Sequence, residues 1–324
     1  MTYRLPLATT LAIAVQMVLG GLVVGEDAGF VCPDWPLCHG QLLPKLTGLV
    51  VLELVHRASA LLVSVLFIAT LVSVWRHHRR DKWMVRAVWG ATASLALQVV
   101  VGGLIVLLKL PGIVTTIDVM NSMLMLGLFV FITTLAYVRG HAGEFTDGQA
   151  QARVRALQVP SAALFAATAF AVFVGAVFRH SGASEALFGR MDYLQSHGQT
   201  VPPSLGVSNA LLALHAVTGV LLVAAAAWFV VGSLRAGALK GWSVWTAVCV
   251  LMEWVLGMLT LLTGLDLVLA TLHWTMAACL FGLASFALSY TTLAVRLHTA
   301  GRQAGHPEDE AVVHPWTEPG PARS

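Results

Sequence analysis

Apolar residues fill long uninterrupted blocks of this chain, and polar residues are confined to the gaps between them. Runs long enough to cross a hydrocarbon core of about 30 Å fall at 7–24, 47–73, 85–108, 113–137, 161–178, 206–232, 241–264 and 267–295. The pattern predicts eight transmembrane helices and an all-α membrane protein. Composition agrees: of 324 residues, 57% are hydrophobic and 11% charged, with a mean hydropathy of +0.79, which excludes an ordinary soluble domain. The first run follows Arg4, shares a motif with later helices and lacks a small-residue cleavage site, so it reads as a span and not as a signal peptide.

Charge sets the expected orientation, because inward-facing loops carry the excess of Lys and Arg. Arg4, the Trp75–Lys82 run with Arg86, the segment Arg139–Arg155, Arg235 with Lys240, and Arg296 with Arg302 share one side. Lys45, Lys109, Arg179 and Arg190 lie on the other. Both termini are therefore expected in the cytoplasm of a bacterial inner-membrane-like cell membrane, with loops 25–46 and 179–205 facing outward. The net charge of +3 is explained by anionic lipid and calls for no nucleic acid. Residues 299–324, polar and containing Pro307, Pro315, Pro319 and Pro321, read as a disordered cytoplasmic tail.

An internal repeat organises the spans. Gln16-Met-Val-Leu-Gly-Gly-Leu-Val-Val in the first recurs as Gln98-Val-Val-Val-Gly-Gly-Leu-Ile-Val in the third, and in diverged form from Glu253 in the seventh and Ala171 in the fifth. Gly20, Gly102, Gly175 and Gly257 occupy its fifth position, where a small residue lets helices approach closely. Copies on odd-numbered helices imply two pseudo-symmetric four-helix bundles, residues 1–140 and 158–298, joined by a cytoplasmic linker at 141–157.

Three histidines, His56, His215 and His273, lie within even-numbered spans, each roughly 9–14 Å below the outer end at 1.5 Å per residue. An ionisable side chain at that depth is costly and marks a functional site. His215 and His273, on two parallel helices, form a pair able to ligate a heme iron from both faces. The alternative is that each bonds a carbonyl or hydroxyl within the bundle. No Cys-x-x-Cys-His motif is present, so covalent heme attachment is not expected.

In the first half, Glu53-Leu-Val-His-Arg57 groups a carboxylate, an imidazole and a guanidinium. Glu53 and Arg57 either neutralise each other at i, i+4, or serve a heme as proton-handling group and propionate partner beside His56 as ligand. Helix 4 contains no histidine. The register that takes Gly257 to His273 takes Gly102 to Asp118, with Asn121 a turn further on if the register slips. Asp118 is a replacement ligand, a proton-handling group or a polar residue near the helix end.

Cys32 and Cys38 flank Pro33-Asp-Trp-Pro-Leu37 in the outward loop, where an oxidising compartment favours a disulfide. Free thiols, or a metal site with His39, are the alternatives; a five-residue gap is not a typical zinc spacing. The pair is structural or redox-active. Cys249 and Cys279 fall inside helices, where small apolar filler is the expected role.

The Glu53–Arg57 motif, the Cys32–Cys38 loop, and His215 with His273 on eight duplicated helices together resemble the heme A synthase family over about residues 5–298. The resemblance implies an oxidoreductase that converts heme O to heme A for terminal oxidases, oxidising a ring methyl to a formyl group by successive hydroxylations with molecular oxygen. It implies a resident heme b between His215 and His273, and heme O received as substrate near His56, Glu53 and Arg57. It further implies heme O synthase and a membrane electron donor such as quinol as partners, with homo-oligomers open. The family usually carries a fourth histidine on helix 4 and paired cysteines between helices 5 and 6; this chain has neither. A b-type cytochrome that only carries electrons uses His215 and His273 equally well, and a proton-coupled transporter uses the histidines as relays.

Overall fold

The computed structural model describes residues 3–109, 112–141, 148–190 and 201–304, with side chains described through residue 296. Eight described helices are long and apolar enough to cross a membrane. They are α1 (Arg4–Gly25), α2 (Leu49–His77), α3 (Lys82–Leu108), α4 (Gly112–Gly140), α6 (Gln158–His180), α8 (Leu205–Ala236), α9 (Lys240–Leu262) and α10 (Leu267–Ala304). The shorter helices among the described residues are a 3-10 turn at Ala28–Phe30, α5 (Gly148–Arg155) and α7 (Ala183–Leu187). Among the described residues there is no strand.

These helices need little local encouragement in lipid, where every backbone amide must be satisfied within its own segment. Their ends are nevertheless marked. Asp81 caps α3 by accepting from the amides of Trp83 (3.0 Å) and Met84 (3.1 Å), and its carboxylate also pairs with Arg139 at the end of α4. Ser204 accepts from the Val207 amide at the start of α8 (3.3 Å), and Gly237 closes the same helix in the left-handed region at φ 68°.

Helix α1 packs on α2 and α4, α3 packs on α4, and α2 touches α3. In the second set α6 packs on α8, α8 on α9, α9 on α10 and α10 on α6. The sets meet where α10 lies against α4 and α1, and where α4 lies against α6. Helix α4 is consequently the most enclosed span, with 56% of its membrane-length core buried against 17% for α3 and α8. Phe129, Ile132 and Leu135 of α4 are fully buried in a core that also takes Phe281 from α10. A second core gathers Leu164, Phe229 and Leu280. Outward-facing side chains such as Leu61 and Leu251 are two-thirds exposed, the apolar belt that lipid requires.

Burial of apolar surface does not drive helices together inside lipid, so close packing and interhelical polar contacts carry the association. Thr9 bonds Thr70 (3.1 Å) between α1 and α2, and Thr10 bonds Thr133 (3.1 Å) between α1 and α4. Trp274 of α10 donates its indole N–H to the Met17 carbonyl of α1 at 2.9 Å, with its ring pressed on Gly21.

Two segments depart from the expected plan. The polar linker is partly helical: α5 packs on α10, buries Val154 and reaches the Val295 carbonyl through Gln151 (3.4 Å). The last span also runs on to Ala304, beyond the boundary placed at 298. The predicted tail from residue 305 onward, and linker residues 142–147, lie outside the described residues.

A Cβ at Gly21 would sit 2.6 Å from the Trp274 ring. Gly21→Val is therefore expected to part α1 from α10 and cost about 1–3 kcal/mol. Trp274→Phe, which keeps an aromatic side chain but loses the indole N–H bond to Met17 and much of the contact with Gly21, is expected to cost about 1 kcal/mol. Thermal unfolding in one detergent ranks the two, and equal midpoints would contradict the contact.

Candidate functional site

Each repeat glycine that precedes a histidine-bearing span turns out to face that histidine. A Cβ built on Gly20 would lie 3.4 Å from His56 Cε1, one on Gly175 2.8 Å from His215 Cε1, and one on Gly257 3.0 Å from His273 Cε1. Gly102, which precedes the span without a histidine, has nothing within 4 Å. The glycine removes the side chain that would otherwise occupy the imidazole's place between two helices.

The first position of the repeat faces the same residues from one turn away. Gln16 places its amide 3.2 Å from both ring nitrogens of His56. Gln98 hydrogen-bonds Asp118 and accepts from Asn121 Nδ2 at 2.6 Å. The Ala171 backbone faces the His215 ring. Glu253 Oε1 lies 3.2 Å from His273 Nδ1.

His215 and His273 come together, with ring centres 6.3 Å apart and planes at 77°. An iron held by both imidazoles through bonds of about 2 Å keeps the ring centres about 6 Å apart. The separation and the two glycine notches fit a heme clamped between these residues. Phe178 lies against the far side of His215 at 6.3 Å. Among the described residues no three or more His, Cys, Asp or Glu side chains converge as ligands for a bare metal ion.

In the first set, Arg57 Nε donates to Glu53 Oε1 at 2.6 Å, and Glu53 is 4% exposed. The same guanidinium donates through Nη1 to the carbonyls of Asp34 (3.2 Å), Pro36 (3.3 Å) and Leu37 (2.5 Å). Arg57 thus fastens the Cys32–Cys38 loop over the helix that carries His56. Cys32 and Cys38 form a disulfide. Asp34 turns the loop by accepting from the amides of His39 (2.6 Å) and Gly40 (2.7 Å), and these amides, Gly40 foremost, hold its carboxyl below its usual 3.8. Trp35 closes the loop onto α3, its ring 3.2 Å from where a Gly103 Cβ would be.

Arg57 spends Nε and Nη1 on Glu53 and the loop carbonyls, and its Nη2 is buried without a hydrogen bond, the part of the guanidinium with capacity for a propionate. Glu53 Oε2 is likewise buried without a hydrogen bond. Asn121 is fully engaged across α3 and α4: it donates to the Ser94 carbonyl (2.9 Å) and Gln98 and accepts from Ser94 Oγ (2.9 Å). Asp118, whose Oδ1 has no hydrogen-bond partner, is the residue of the two with capacity for a ligand.

Gln16, Gln98 and Glu253 each head a copy of the repeat, yet nothing in the sequence marks them as facing these residues. Sequence reasoning passed over a buried cluster at the start of α7, where Glu185 is 0% exposed, accepts from Ser184 at 2.5 Å and pairs with Arg179. No motif spacing marks that cluster.

Eight apolar spans that hold imidazoles against interhelical glycines define a multi-pass membrane protein with polar sites inside its helix bundle. The family model for cytochrome oxidase assembly protein, COX15-CtaA, matches residues 47–285, and the chain belongs to that family. It is 26% identical over 297 residues to heme A synthase of Geobacillus thermodenitrificans, covering 86% of this chain and 88% of that protein. It is also 26% identical over 324 residues to heme A synthase of Geobacillus kaustophilus, with 94% and 95% covered. A shorter match, 34% over 134 residues, is to heme A synthase of Ruegeria pomeroyi and spans 36% of this chain.

Gly175→Ala is expected to displace His215 and lower stability by about 1–3 kcal/mol. Gly102→Ala meets nothing and is expected to be neutral or slightly stabilising, since Ala favours a helix. Thermal unfolding of the two variants compares them directly, and a Gly102→Ala protein as unstable as Gly175→Ala would refute the notch.

Proposed function

We propose that this protein is a heme A synthase that oxidises a ring methyl of heme O to a formyl group. The observation that carries the reading is the contrast between two sites: a matched imidazole pair, 6.3 Å apart, in one set of helices, and a lone His56 beside a buried carboxylate in the other. The match to the family and to proteins named heme A synthase supports it.

The two sets of four spans are read as duplicated halves, with both termini cytoplasmic and the Cys32–Cys38 loop outward in a cell membrane. His215 and His273 would hold a resident heme b, which when bound supplies electrons to the reaction. Heme O is the substrate, held near His56. A substrate must enter and leave, so one firm imidazole and the weaker Asp118 opposite a gap suit it better than two histidines. Each hydroxylation joins one oxygen atom of O2 to the methyl carbon, consumes two electrons and two protons, and releases water. After two rounds the resulting diol loses water to give the aldehyde.

The chain's own contribution is positional and electrostatic. Glu53 Oε2, buried and without a hydrogen bond, is the group read as accepting a proton or stabilising positive charge as the methyl reacts, while Arg57 orients the carboxyl through its other oxygen. The Cys32–Cys38 loop, fastened by Arg57 and Trp35, is read as a cap over the substrate heme.

Glu53→Gln is expected to keep the bound-heme spectrum and lower heme A formation in a synthase-null host by about 10²-fold or more. Unchanged heme A, identified by mass after extraction, would overturn the catalytic role of Glu53, whereas no heme A from the parent protein in the same host would leave an electron carrier. His215→Ala and His273→Ala are each expected to abolish the low-spin b-type spectrum. A full spectrum in both would remove the resident heme from this site.

A further inference from the structure

The four copies of the repeat present four different groups to the next span. Gln16 offers a neutral amide to His56, Gln98 an amide to Asp118, Ala171 only its backbone to His215, and Glu253 a carboxylate to His273. The glycine four residues later is constant, and in three of the four copies it faces a histidine ring. What varies is the chemistry placed against the ligand. Glu253 is the one acid among the four, and Glu253 is the partner of a histidine in the matched pair.

We propose that Glu253 is a positioning residue that sets the reduction potential of the resident heme through His273. The inference rests on the reading of His215 and His273 as axial ligands. Glu253 Oε1 lies 3.2 Å from His273 Nδ1, and the Glu253 side chain is 12% exposed. Nδ1 has no in-line hydrogen bond, so the carboxylate stands beside it as a close charge at 3.2 Å; a carboxylate that accepts from Nδ1–H favours iron binding through Nε2. It also shifts electron density toward the metal and makes the imidazole a stronger donor. A stronger, more anionic ligand favours ferric over ferrous iron, so the carboxylate lowers the potential and strengthens the resident heme as a reductant. His215, facing only a backbone group, supplies the ordinary half of the pair.

The same logic accounts for Gln16. A neutral amide beside His56 leaves that imidazole a weaker donor, as suits a ligand from which a product heme must depart. The variable position thus puts a carboxylate against one ligand of the retained heme and amides in the first set of helices.

The test is a redox titration of the purified heme-loaded protein, followed by its visible spectrum. Glu253→Gln keeps size and a hydrogen-bonding group but removes the charge. Its resident-heme midpoint is expected to rise, by about 59 mV for each tenfold change in the one-electron equilibrium. Glu253→Asp, which retains the charge on a shorter arm, is expected to stay closer to the parent. A Glu253→Gln midpoint equal to or below the parent's overturns the proposal. If Glu253→Gln loses heme, the Glu253→Asp midpoint decides: a rise above the parent's supports the proposal, and an unchanged or lower value overturns it. Loss from both overturns it in favour of packing. His273→Ala in parallel separates the two levels: if that variant keeps the full b-type spectrum, the ligand reading itself has failed, whereas its loss with an unshifted Glu253→Gln midpoint sinks this inference alone.

Discussion

The contact on which the rest of this structure depends is an imidazole ring laid on a glycine of the preceding span. A histidine inside a membrane bundle needs both a partner for its polar edge and a gap in the facing helix wide enough for its ring. The repeat provides both from one helix turn, with a polar or backbone group at its first position and glycine at its fifth. Gly20, Gly175 and Gly257 each accept a histidine in this way. Close packing of helices and placement of ligands are thus one and the same interaction, which is economical in lipid, where van der Waals fit carries most of the association.

The first set of helices uses the same frame with one place changed. Gly102 faces open space, and its neighbour Gly103 instead receives Trp35 from the Cys32–Cys38 loop. Asp118 stands in the register of a histidine, held by Gln98, with one oxygen unpaired. An open Gly102, the Trp35 ring on Gly103 and a buried carboxylate at Glu53 are what distinguish this set of helices from the other. Arg57 links these parts, since a single guanidinium binds Glu53 and three loop carbonyls. Removing one member of such a buried pair typically costs about 3–5 kcal/mol, because the other charge is left without compensation.

The two sets also communicate by contact. His273 and Trp274 are consecutive on α10; the first lies against Gly257, and the second reaches across to Gly21 and Met17 on α1. Gly20, next to Gly21, faces His56. The backbone of two helices therefore runs directly from one candidate heme site to the other, and α10 contributes to both hydrophobic cores.

Much of this was legible in the sequence. Hydropathy alone located all eight spans, because a hydrocarbon core demands a run of apolar residues whatever the neighbours are. The repeat and the three histidines were visible for a related reason: glycine and an ionisable residue are both conspicuous where apolar bulk is the rule. What sequence could not supply was direction across the bundle. Whether Gln16 and Glu253 pointed at lipid, at each other or at an imidazole depends on how α1 and α9 are rotated about their axes, and rotation is decided by packing against the other helices. The same holds for Asn121 and Asp118, three residues apart: only the position of Ser94 and Gln98 on α3 shows that the first is consumed by structure and the second keeps a free oxygen. Arg57 likewise revealed its hold on the loop only once the chain had folded back, twenty residues, onto its own second span. The sequence by itself determined that the chain crosses the membrane and which residue types sit at depth, since those follow from transfer energies residue by residue; which of them meet was settled by tertiary structure, since side-chain contacts between helices have no local signature.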